Sequence, residues 1–177
     1  YFEKMFKGGQ AEFHGILRKS LESDARLFVV TANPETLMTG EANSEFDLLL
    51  TDEETAIVPD GIGTVKAARM LGCEVEGRIT GVEIAQFLFR EGAQQKKTAF
   101  LFGAKEEVVS ALAGKLSAKY PDLHILGYEN GYVKDKDAVF ERIAELKPDI
   151  VLVALGIPQQ ELLIYRHLNQ FDKGIFV

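Results

Sequence analysis

Apolar residues recur along this chain in two alternating rhythms. Phe13, Ile16, Leu17 and Leu21 fall at helical spacing, and the run Leu27-Phe28-Val29-Val30-Thr31 that follows is short, continuous and β-prone, as a strand buried on both faces requires. Asn33 is suited to cap, and Pro34 to open, a second helix. The alternation then predicts strands over residues 56–59, 98–102, 124–127, 149–155 and 174–177. Between them it predicts helices over 61–71, 80–91, 105–120, 135–146 and 158–171. Pro121-Asp122 and Pro148-Asp149 each follow a helix end and precede an apolar run, which marks them as helix-to-strand turns.

Strands separated by helices pair in parallel through crossovers, so the expected fold is α/β: a Rossmann-like, doubly wound, mostly parallel sheet with helices on both faces. At 177 residues one domain accounts for the whole chain, and a domain of that size buries about 70% of the surface its unfolded form exposes. No hinge rich in Pro, Gly or Ser, no fixed-period repeat and no low-complexity tract interrupts it. Twenty-seven acidic against twenty basic side chains give a net charge of -7, which opposes nonspecific attraction to nucleic acid or to anionic lipid. No nucleic-acid partner is therefore expected. The single cysteine, Cys73, lacks a disulfide partner or a metal-ligand companion and reads as a buried small apolar residue in a reducing compartment. The longest apolar run, from Ile150 to Leu155, falls far short of the roughly 20 residues a spanning helix needs. The chain opens on Tyr1 instead of Met and its last strand runs out without the helix or cap expected next, so it is expected to be a piece of a longer protein.

In an open α/β sheet the residues just past the carboxyl ends of the strands share one edge and line the ligand crevice. Four turns qualify: Thr31-Ala32-Asn33-Pro34, Pro59-Asp60-Gly61-Ile62-Gly63, Phe102-Gly103-Ala104 and Leu155-Gly156-Ile157-Pro158-Gln159-Gln160-Glu161. Together they offer a hydroxyl, an amide, a carboxylate, glycine-softened approaches to backbone N–H and a Gln-Gln-Glu cluster, an inventory suited to a nucleotide sugar or a dinucleotide. Asp60 is the central group. At a strand-to-helix turn it is either a base facing the crevice or simply the N-cap of the next helix. Other members have bland counterparts too: Gly103 as a tight turn, Asn33 as a cap, Gln160 and Glu161 as a solvated first helical turn favoured by the dipole. Arg78 lies in a glycine-flanked turn before a Thr-capped helix and is the basic candidate for a diphosphate, with a solvated surface arginine as the alternative.

Several chemistries lack their residues. Lys66 stands where the third glycine of a dinucleotide fingerprint belongs, and no acidic residue closes a strand about 20 residues on, which disfavours NAD. There is no phosphate-loop Gly-Lys-Ser/Thr and no Gly-x-Ser-x-Gly elbow, and His14, His124 and His167 lie apart without metal-ligand spacing. Asp135-Lys136-Asp137 spells the acidic pair that metal-dependent sugar transferases use, but it opens a helix, where carboxylates have a capping role of their own. No metal and no cofactor are expected.

Taken in order, the Thr-x-Asn turn at Thr31, VPDGIG, the Arg-x-x-Gly turn at Arg78, FLFGA, YPDLHILGYENGY and VALGIPQQE resemble the WecG/TagA/CpsF family of bacterial glycosyltransferases, from about Leu27 to the last strand. The resemblance implies a cytoplasmic enzyme, peripheral at the inner membrane face, that moves a sugar, often N-acetylmannosamine from its UDP form, onto undecaprenyl-diphosphate-linked N-acetylglucosamine. Its products feed wall teichoic acid, enterobacterial common antigen or exopolysaccharide. It implies Asp60 as the catalytic base, Thr31 and Asn33 as the turn facing the sugar, and Arg78, Tyr132 and Gln160 as pocket and nucleotide positions. Gly61, Gly63, Gly103, Gly156, Pro158 and Glu161 complete the substrate-binding turns. The family continues past the last strand into a glycine-rich acidic turn and a basic tail that reaches the membrane. Neither stands in this sequence, so the chain as given is expected to bind UDP and turn over poorly.

The leading expectation is thus a metal-independent, inverting transferase with a UDP-sugar donor and a polyprenyl-diphosphate-linked acceptor. A nucleotide-binding module without transfer chemistry and an NAD-dependent oxidoreductase are the alternatives. The donated sugar, the polysaccharide pathway and homo-oligomer formation are not fixed by the sequence. A helix N-terminus beside Asp60 favours its charged form, which predicts an available but weak base.

Overall fold

Alternation along β1 (Arg26–Ala32) sets the layers: Phe28, Val30 and Ala32 turn to one face of the sheet and Val29 to the other. The computed structural model describes residues Tyr1–Val177. β1 lies between β2 (Thr55–Pro59) and β6 (Gly174–Phe176), and β5 (Ile150–Ala154), β3 (Thr98–Gly103) and β4 (His124–Glu129) follow beyond β6. Every neighbouring pair is parallel. The fold is the Rossmann-like α/β architecture the alternation predicts.

Two apolar layers hold the sheet. On one face α3 (Ser44–Thr51), α7 (Lys136–Leu146) and α8 (Gln159–His167) bury Phe46, Leu49, Phe140, Ile143 and Ile164 against Phe28, Val30, Phe102 and Val153. On the other, α1 (Gln10–Glu22), α5 (Gly81–Gln94) and α6 (Glu106–Lys119) bury Phe13, Leu17, Ile84, Leu88 and Val109 against Val29, Val58, Leu101 and Ile175. Each such side chain contributes about 1.5–3 kcal/mol when fully buried. At the amino ends of the strands Asp149 ties the sheet together: Oδ2 accepts from the Thr98 N–H at 2.8 Å and its hydroxyl at 2.9 Å, and Oδ1 pairs with Lys173 at 2.7 Å.

Three local expectations change. The helix opened by Pro34 is two: α2 (Pro34–Ala42) stops and α3 restarts at Asn43, whose side chain accepts from the N–H groups of Glu45 and Phe46 at 3.0 and 3.2 Å. The predicted helix 158–171 ends at His167 and continues only as a 3₁₀ turn, Leu168–Gln170. Cys73 is half-buried, beside a small cluster of Val65, Ala68 and Val75 under α4 (Ile62–Met70), and not a core residue. No helix is long and apolar enough to cross a membrane.

Candidate active site

β1 and β5 are not direct neighbours; β6, three residues long, lies between them. At their carboxyl ends a cavity of about 340 Å³ opens. Thr31 of β1, Asp60 after β2, and Thr80 and Gly81 at the start of α5 line it together with Ala154 of β5 and Gln160 and Glu161 of α8. Three larger grooves, about 490 Å³ between α1, α5 and α6, about 560 Å³ beside Arg26 and Glu53 and about 400 Å³ beside Arg69 and Cys73, lie away from these strand ends. The crevice position at the sheet's carboxyl edge favours the smaller cavity as the site.

Backbone hydrogen bonds explain why distant turns meet there. The Asp60 N–H donates to the Ala32 carbonyl at 2.9 Å, joining the ends of β1 and β2, and the Ile79 N–H donates to the Pro59 carbonyl at 2.7 Å, which carries the α5 start alongside. Thr80 and Glu83 form a capping box: the Glu83 N–H donates to Thr80 Oγ1 at 3.2 Å, and the Thr80 N–H donates back to Glu83 Oε2 at 2.9 Å. The Gly81 N–H at this helix start faces Asp60.

Asp60 does not cap α4. The N-cap is Gly61, at φ +90° with no side-chain cap, so the carboxyl is left to the crevice. Burial pushes Asp60 above the ordinary aspartate range, against the opposing pull of the Gly81 N–H, the Arg78 guanidinium and the Gly61 N–H, with Glu83 adding to the rise. The helix start favours the charged form as expected, but desolvation outweighs it.

Across the cavity the VALGIPQQE segment builds a relay. Gln160 Oε1 accepts from the N–H groups of Leu155 and Gly156 at 3.2 and 3.0 Å, which fixes its amide, and Nε2 donates to Glu161 Oε1 at 2.9 Å. Glu161 is 5% exposed and its Oε2 has no hydrogen-bond partner. Burial raises its carboxyl above the usual range against the opposing pull of its own backbone N–H and of the bond from Gln160. It is not the solvated first-turn acid that the sequence allowed.

Thr31, Asp60, Gln160 and Glu161 thus share one cavity; the other sequence candidates do not line it. Arg78 stands near enough to favour the charged forms of Asp60 and Glu83. Asn33 is engaged in a capping box, accepting from the Thr36 N–H at 2.9 Å. Gly63 lies where α4 approaches Pro34, and Gly103 packs so tightly that an added Cβ would fall 2.7 Å from the Ala154 nitrogen. Gly156, at φ +84°, and Pro158 shape the β5–α8 turn, and Tyr132 is 74% exposed. Asp135 caps α7 through the Ala138 N–H at 2.9 Å, and Asp137 pairs with His167 at 2.7 Å, so both acidic residues have structural partners. Sequence reasoning missed Gly81, Val82, Ala85 and Ile164 as cavity walls. The Thr-x-x-Glu capping signature at Thr80 was the one signal pointing to that helix start.

Comparison with known proteins matches this chain, over residues 6–177, to the model of the glycosyl transferase WecG/TagA/CpsF family. An N-acetylglucosaminyldiphosphoundecaprenol N-acetyl-beta-D-mannosaminyltransferase of Bacillus subtilis (strain 168) is 36% identical over 150 residues, 84% of this chain and 58% of the relative. Proteins of the same name from Bacillus spizizenii and Staphylococcus aureus (strain NCTC 8325 / PS 47) are each 34% identical over 157 residues, covering 89% and 88% of this chain and 61% of each relative. The chain spans about three fifths of the length of the curated relatives it matches.

Proposed function

The chain belongs to the WecG/TagA/CpsF family of glycosyl transferases, and from that membership we propose that it carries the sugar-transfer centre of an inverting, metal-independent enzyme. The relatives' names support N-acetylmannosamine as the transferred sugar and N-acetylglucosamine on undecaprenyl diphosphate as the acceptor, and the donor in this reading is the UDP form of that sugar. Such a product serves cell-wall or surface polysaccharide synthesis, and a lipid-linked acceptor supports the reading of a peripheral enzyme working at the cytoplasmic face of the membrane.

One observation carries the reading: an uncapped aspartate in the strand-end crevice with a guanidinium and a helix start beside it. Asp60 takes the proton of the acceptor hydroxyl as its oxygen attacks the anomeric carbon. The C–O bond to UDP breaks on the opposite face, which inverts the configuration. General-base catalysis is worth about 10²- to 10⁴-fold, and a base brought nearer the working pH by burial is better matched to it than an ordinary aspartate. Negative charge on the departing diphosphate is met by the Arg78 guanidinium beside Asp60.

The test is transfer from UDP-N-acetylmannosamine to a short-chain polyprenyl-diphosphate-linked N-acetylglucosamine by the full-length protein, with a chelator present. Formation of the lipid-linked disaccharide with inverted linkage and release of UDP is expected. UDP binding without transfer would refute the catalytic reading, and an absolute need for Mg²⁺ would refute the metal-free one.

A further inference from the structure

Glu161 is buried beyond nine-tenths, and a carboxyl that deep ordinarily has both oxygens partnered. Here Oε1 accepts from Gln160 while Oε2 has no partner. The arrangement is built: the Leu155 and Gly156 N–H groups orient Gln160, and Gln160 holds Glu161 inward at the cavity wall. The terminal torsion of a glutamate is broad, so a small rotation presents Oε2 to a ligand without leaving the Gln160 bond.

The cavity also selects what supplies the missing partner. Its lining contains two carboxyl side chains, Asp60 and Glu161, and no lysine or arginine. Against these two acids a hydroxyl or amide donor is favoured over a phosphate, and Arg78, beside Asp60, is the group placed to meet a diphosphate. A neutral ring with hydroxyls suits the lining, its C–H faces against Val82, Ala85 and Ile164 and its polar groups toward Thr31 and the two acids.

We propose that Glu161 is a specificity-determining residue of the transfer reaction, its free Oε2 hydrogen-bonding a hydroxyl or amide N–H of the pyranose that occupies this cavity. The proposal rests on the transferase reading above. Donor and acceptor both carry such a ring, and kinetics separate them.

Michaelis constants for UDP-N-acetylmannosamine and for the lipid-linked acceptor, and the affinity for UDP alone, are measured for the full-length protein and for Glu161→Leu and Glu161→Gln. Leucine removes the hydrogen bond at similar volume, and we expect the constant for one sugar substrate to rise about tenfold, equivalent to about 1.4 kcal/mol, with glutamine restoring part of it. Affinity for UDP alone stays within twofold. A rise confined to the donor identifies the donor sugar as occupant, and a rise confined to the acceptor identifies the acceptor sugar. Unchanged constants, or a parallel loss of UDP affinity, would overturn the proposal. Independently of any variant, a panel of monodeoxy sugar substrates tested on the wild type should contain one that loses about tenfold in kcat/KM; a flat panel overturns it as well. A wild type that transfers no sugar would instead bring down the transferase reading beneath it.

Discussion

Replacing Asp60 by Asn separates activity from stability in opposite directions. The amide keeps the shape of the side chain and can still accept from the Gly81 N–H, but it cannot take a proton from the acceptor. Loss of a general base predicts a fall in kcat of about 10²- to 10⁴-fold, a barrier increase of about 3–5 kcal/mol. Stability should not fall with it. Because burial raises the folded-state value of Asp60 above its unfolded one, ionising it disfavours the fold, and that cost develops as pH rises from the ordinary aspartate range through the raised value. At neutral pH the asparagine variant escapes the cost, so its melting temperature should equal or exceed the wild type's. The same shift predicts that the acid limb of kcat/KM lies above the range of an ordinary aspartate and is absent in the variant. Single-turnover transfer across pH, with melting curves on the same samples, measures all three. Near-normal transfer by the asparagine variant, or a loss of activity matched by a loss of folded protein, would refute Asp60 as the base.

Other expectations concern the frame of the site. Asp149→Ala removes two charge-assisted bonds from Thr98 and the Lys173 pair, and should cost about 3 kcal/mol, a melting shift on the order of 10 °C. Hydrogen bonds from Lys173 and Thr98 prevail over burial and hold Asp149 below the usual range, so its contribution is present above the unfolded value and fades as pH falls through the lower folded one; acid titration of wild type and variant should converge there. Gly103→Ala drives a Cβ into the Ala154 backbone and should destabilise by about 1–3 kcal/mol in denaturant unfolding, whereas ligand contact alone would leave stability intact. Arg78→Ala should weaken UDP binding or slow transfer, and a variant normal in both would make Arg78 a surface residue.

The layers were legible because periodicity reports burial directly: Phe28, Val29 and Val30 alternate between cores as a strand must. Interruptions were less legible, because a capping asparagine such as Asn43 inside an apolar stretch changes direction without changing hydrophobicity. At the site, the sequence named Thr31, Asp60, Gln160 and Glu161 but left Asp60 divided between cap and crevice. Only the backbone decides that, through the positive φ of Gly61, which moves the cap one residue on. Whether Glu161 faces water or the interior was equally hidden, since it depends on Gln160 binding two N–H groups of its own turn. The direction in which Asp60 is shifted was hidden for a related reason: a helix start can be read from the sequence, but desolvation is set by the whole enclosure.

The three residues of β6 join β1 at Arg26–Phe28 to β5 at Ile150–Val151, and so hold together the strands whose far ends carry the aspartate-bearing and glutamate-bearing banks. Ile175 and Phe176 anchor one core each, on opposite faces of the sheet, and enlarging or shrinking either would shift the helices packed over the two banks. Lesions there would masquerade as catalytic defects in a screen, with the offending side chains hidden on the two sides of the sheet.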